Sequence, residues 1–69
     1  MLTLTPCEHL ARIRSRLSEH LSDEEYNDCA VIAMYYVLHA KQHEDREEAA
    51  LLYDLAVRER AAKYPITQG

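Results

Sequence analysis

The sequence predicts an all-α fold, a compact helical hairpin or three-helix unit with helices at about 6–20, 23–42 and 46–63, expected to dimerise. Three observations carry that expectation. Apolar residues recur at helical spacing in three successive stretches. Two of those stretches open with a complete capping signature. The 69-residue chain holds only one Gly and two Pro, too few turn formers for a β-rich fold.

The first helix opens where Thr5 precedes Pro6, a capping side chain before a residue whose fixed φ suits the first helical position. Glu8, three residues after Thr5, completes the pattern of a capping box. Leu10, Ile13 and Leu17 form a narrow apolar stripe, and Arg12, Arg14, Arg16, Glu19 and His20 fill the rest of the circumference.

The second start is stronger. Ser22 is a good N-cap, Glu25 completes its box, and Leu21 and Tyr26 stand where a hydrophobic staple would. Asp23, Glu24 and Glu25 place negative charge at the positive end of the helix dipole. Nothing from Asp23 to Gln42 breaks a helix, and the short link to the first helix favours an antiparallel pair.

The third helix is expected to be capped by Asp45 with Glu48 closing a box. Arg58, Arg60 and Lys63 suit its last turn, and Pro65 disfavours helix at Tyr64 and fixes the stop. Ala49, Leu52, Tyr53 and Ala56 form one stripe, with Leu51, Leu55 and Arg58 beside it. A break is expected near His43 to Asp45, because one continuous helix would hold many charges and few apolar anchors there. The whole chain, 1–69, reads as a single helical domain, with 66–69 a short tail.

The second helix carries two apolar faces. At about 100° per residue, Tyr26, Cys29, Ala30, Ala33, Tyr36, Val37 and Ala40 gather on one side, mostly small and suited to close helix approach. The opposite side carries Asp28, Val31, Ile32, Tyr35, Leu38, His39 and Gln42. A helix apolar all round needs burial all round, and two short helices cannot easily cover both faces. Val31, Ile32, Tyr35, Leu38, His39 and Gln42 are therefore the candidate dimer or partner-binding residues, with Tyr35 as a natural anchor. The alternative is that helix three wraps further round and buries this stripe as core. A chain this short rarely stabilises itself on one core, so self-association is the expected remedy.

Charge and composition exclude several functions. Eight Lys and Arg against twelve Asp and Glu give a formal charge of −4. From Asp23 to Glu48 eight acids face only Lys41 and Arg46, a local balance of −6, so direct nucleic-acid binding is not expected. Such a surface suits a basic DNA-binding domain better, although acids at helix starts are also ordinary capping charges. The longest uncharged run, Cys29 to Ala40, is too short to span a bilayer. Met1 to Thr5 lack the basic start and apolar stretch of a signal peptide, so the expected location is the cytoplasm.

Chemistry-bearing residues are sparse. Cys7 and Cys29 could form at most one disulfide, and no oxyanion loop or orienting third group accompanies either as a nucleophile. Cys29, among small apolar residues, reads as a buried inert thiol. His39 and His43 stand four apart, with Glu47 four further on, a spacing that could serve a metal on a continuous helix. A polar helix edge explains the pair more simply, and neither a metal nor a cofactor is expected. No catalytic residue is assigned. A metal-dependent sensor is the third reading, after an accessory subunit or antitoxin-like helical binding module.

With its LSDEEY cap (Leu21 to Tyr26) followed by CAVIAMYYVLHA (Cys29 to Ala40), the chain resembles the anti-quorum-sensing proteins of Mu-like Pseudomonas phages. The likeness rests on length, acidity and the helix arrangement around these segments, and it covers the helical body. It implies a homodimeric inhibitor in the host cytoplasm that binds a LuxR-type quorum-sensing activator and blocks its DNA binding. It also implies an association with inhibition of the type IV pilus assembly ATPase. No residue of that family's binding sites maps onto this chain, so the candidate site comes only from the second face of helix two.

Overall fold

Thr5 caps the first helix, its hydroxyl accepting a hydrogen bond from the Glu8 amide at 3.2 Å with Pro6 as the first helical residue, but only this half of the box expected with Glu8 forms. The computed structural model describes residues 5–65 and contains three helices and no strand among them. They are α1 (Pro6–Arg16), α2 (Asp23–His39) and α3 (His43–Lys63).

The first helix ends earlier than residue 20. The Leu17 amide is shared between the Ile13 and Arg14 carbonyls, and the Ser18 and Glu19 amides bond three residues back, to Ser15 and Arg16. Such i→i+3 bonds tighten and close a helix. The Ser18 hydroxyl also donates to the Ser15 carbonyl at 2.7 Å, competing with continuation of the ladder. Leu17 and Leu21 are nevertheless buried, so the link between α1 and α2 is anchored in the core.

The capping box of α2 is complete. The Glu25 amide donates to Ser22 Oγ and the Ser22 amide donates to Glu25 Oε1, both at 3.2 Å. These bonds hold the Glu25 carboxyl below the usual carboxylate range, the Ser22 amide contributing most and Arg16 adding to it against a smaller desolvation. The far end of α2 differs from expectation, stopping at His39 and not near residue 42. Ala40 turns extended (φ −64°, ψ 138°), and α3 starts at His43. Asp45 is therefore not the N-cap; Gln42 occupies that position, with no side-chain hydrogen bond. The break exists, displaced towards the N-terminus. No capping side chain marks it, and tertiary packing holds the reversal.

That packing is a close antiparallel hairpin. Arg60, near the end of α3, pairs with Asp23 at the start of α2, which raises the Arg60 pKa through the shared hydrogen bond and charge. Ala30 and Ala33 of α2 and Ala49 and Ala56 of α3 are all buried in the core, where the absence of bulk lets the two backbones approach. Leu10 and Ile13 of α1 join them, with Leu52, Tyr26 and Cys29 completing the centre. Of the expected inner rows, Tyr26, Cys29, Ala30 and Ala33 of α2 and Ala49, Leu52 and Ala56 of α3 form the observed core, and Tyr36 and Val37 are half-buried against it. Ala40 lies past the end of α2 and outside that core, and Tyr53 lies at the surface.

The end of α3 also clamps the α1–α2 link. Lys63 donates to the Tyr26 hydroxyl and lies 5.2 Å from the centre of its ring, so its pKa is raised chiefly by that hydrogen bond. The Tyr26 hydroxyl donates to the Glu19 carbonyl at 3.3 Å, and the Tyr64 hydroxyl donates to the Leu21 carbonyl at 3.0 Å. Two backbone carbonyls of the α1–α2 link find their partners here.

Candidate protein-binding face

The outward side of α2 is not core. Val31 is 59% exposed, Tyr35 58% and Leu38 68%, so α3 does not wrap round to cover them. Ile32 is the exception among the six candidates: it is half-buried and packs against the core. His39 and Gln42 are exposed at and beyond the C-terminal end of the helix.

The fold divides this stripe in two. Val31 lies on the flank of α2 that borders α3. There it joins Ala30, Met34, Tyr53 and Val57 in a groove of about 420 Å³, with Asn27 and Arg60 at its acidic-helix end. Leu38 follows Val31 and Met34 at helical spacing and extends the same apolar row. Tyr35, His39 and Gln42 instead line a separate recess with Pro6 of α1 and Asp45 of α3.

A chain of rings fixes the second half. The Tyr35 and His39 rings lie 4.6 Å apart with 37° between their planes. Tyr35 meets the edge of Tyr36 at 5.6 Å, and Tyr36 meets His9 at 5.5 Å and 90°. The Tyr36 hydroxyl and His9 Nδ1 are hydrogen-bonded at 2.8 Å, which ties α1 to this end of α2. Tyr35 is therefore seated against neighbours while remaining largely exposed, the arrangement expected of a contact anchor.

Met34, Tyr53 and Val57 are functional candidates that sequence reasoning did not select. Met34 falls between the two faces drawn on the helical wheel, and Tyr53 shares the spacing of the α3 core row. The available signal was Tyr53 and Val57 at i, i+4 with Val31 and Met34 at i, i+3. Linking those rows required knowing that α2 and α3 are antiparallel neighbours.

The metal reading loses its geometry. The chain breaks between His39 and His43, so the two imidazoles do not share a helix, and His43 Nε2 contacts Glu47 Oε1 at 2.7 Å. Among the described residues no group of three or more His, Cys, Asp or Glu is placed to hold a metal ion. Both thiols are free: Cys7 is exposed and Cys29 buried, and burial pushes the Cys29 thiol pKa up. No helix among the described residues is long and apolar enough to cross a membrane.

No family model, curated protein or solved structure matches this chain.

Proposed function

We propose that this chain is a small non-enzymatic interaction protein that acts as a homodimer and binds and inhibits host proteins. One observation carries the reading. Val31 and Met34 of α2 and Tyr53 and Val57 of α3 are exposed large apolar side chains lining one groove, and exposed Leu38 continues the α2 row beyond it. Isolated exposed apolar residues need no explanation, but a contiguous row rimmed by polar groups marks an association surface. A 69-residue sequence also builds only a small core, to which a second subunit would add buried apolar surface.

The resemblance to phage anti-quorum-sensing proteins supplies the partner class: a LuxR-type transcriptional activator prevented from binding DNA, with the type IV pilus assembly ATPase as a second target, both in the host cytoplasm. Acidity over Asp23 to Glu48 supports a basic partner, since opposite surface potentials speed encounter and fix orientation.

The test is a gel-shift competition with a purified LuxR-type activator on its promoter DNA. Wild-type chain is expected to release the DNA, and Leu38→Asp is expected to lose more than about tenfold in potency, about 1.4 kcal/mol. Glu59→Ala, a change away from the apolar row, is expected to act as wild type. Failure of wild type to release the DNA would overturn the activator assignment, and equal potency of Leu38→Asp would remove the face from the mechanism.

A further inference from the structure

At the end of α2 away from the Ser22 cap, Pro6, Tyr35, Tyr36, His39, Gln42 and Asp45 line a recess of about 380 Å³. Three rings form its wall, with Tyr35 stacked obliquely on His39 at 4.6 Å and set edgewise against Tyr36 at 5.6 Å. Asp45 is half-buried and makes no ion pair among the described residues, whereas Glu47 and Glu48 on the next turn pair with His43 and Arg14. A first-turn acid is ordinary taken alone. What distinguishes Asp45 is the aromatic wall it shares.

We propose that this recess takes the guanidinium group of an arginine side chain presented by a partner protein. A guanidinium is planar and weakly hydrated, stacks on aromatic faces, and offers two parallel N–H donors to a carboxylate. Tyr35 and His39 supply the faces and Asp45 the acceptor. An ammonium is a compact, strongly hydrated point charge that uses the carboxylate but gains less from the rings. Lys41 also borders the recess and is not ion-paired to Asp45, so it leaves the carboxylate to an incoming cation while repelling it. This deepens the interaction reading above and rests on it for the source of the arginine.

The experiment is an amide-resolved NMR titration of the full chain with N-acetyl-arginine amide, and separately with N-acetyl-lysine amide, at about pH 8 where an ordinary imidazole is neutral. Saturable shifts are expected at Tyr35, Tyr36, His39 and Asp45, with the lysine probe weaker by about fivefold. Asp45→Asn is expected to weaken the arginine probe by a similar factor and Lys41→Ala to tighten it, with the remaining spectrum unchanged. Shifts that never saturate, equal response to both probes, or an unaltered response in Asp45→Asn would each overturn the assignment. Leu38→Asp lies outside the recess and separates the two readings. If it abolishes association while the arginine probe fails, the recess alone is overturned; if it changes nothing while the probe binds as expected, the arginine site stands and the apolar face falls.

Discussion

Met34 of α2 and Tyr53 of α3 are walls of one groove, brought together because the two helices run antiparallel with alanines between them. Each is a large side chain left at the surface of the hairpin, on the same flank as Val31 and Val57. Two such hairpins placed face to face give each groove the row of the other, the packing by which helix pairs assemble into four-helix bundles.

Oxidation of Met34 reports that contact. In a homodimer seated on this groove, hydrogen peroxide is expected to convert Met34 to its sulfoxide more slowly as protein concentration rises, because the thioether becomes covered. Peptide mass mapping follows the rate. A rate independent of concentration across the association range would place the subunit contact elsewhere.

Ser22→Ala removes the side-chain half of the α2 capping box. It is expected to lower stability by about 1 kcal/mol, read as a shift in urea midpoint at constant m. The same substitution returns the Glu25 carboxyl towards its ordinary value, measurable by carboxyl-resolved NMR titration. A Glu25 titration unmoved by the substitution would show that the Ser22 hydroxyl has no part in holding the carboxylate, leaving the residue 22 amide to do so.

Acid is expected to weaken the fold through the same residue. The folded Glu25 pKa lies below its unfolded value, so its contribution is fully present above the unfolded pKa and is lost as pH falls through the folded one. Thermal midpoints measured from about pH 6 down to about pH 3 should therefore fall more steeply in wild type than in Glu25→Gln. Parallel curves would contradict the assignment.

Tyr26→Phe keeps the buried ring and deletes the hydroxyl that Lys63 and the Glu19 carbonyl share. A loss of about 1 kcal/mol is expected, with Lys63 free to regain water at the surface. Hydrogen exchange should accelerate most in the link between α1 and α2, since the clamp acts there. Acceleration confined to the centre of α2 would point to a packing defect in place of a lost clamp.

Most of the helical architecture is legible in the sequence, because local chemistry decides it. Ser22 and Glu25 cap each other without help from the rest of the chain, and Pro65 stops α3 at Lys63 by backbone geometry alone. The inner rows, Tyr26, Cys29, Ala30 and Ala33 against Ala49, Leu52 and Ala56, follow from helical spacing. What escaped sequence reasoning is set at longer range. The link after α1 is held by Lys63 and Tyr64 reaching back to the Glu19 and Leu21 carbonyls, residues far apart in the chain. The break at Ala40 has no cap or glycine to announce it; it follows from folding α3 back onto α2. The candidate face was half visible: Val31, Tyr35 and Leu38 stand exposed on one helix, but their allocation to a groove and a separate recess depends on which neighbour flanks each side.

Sedimentation equilibrium of wild type beside Leu38→Asp, with circular dichroism on the same samples, tests most directly whether the exposed apolar row is an association surface. Wild type is expected at about twice the 8.0 kDa chain mass, and Leu38→Asp at the chain mass with the same helical signal. A monomeric wild type, a Leu38→Asp dimer as tight as wild type, or an unfolded Leu38→Asp chain would contradict the assignment of Leu38 to an exposed association surface.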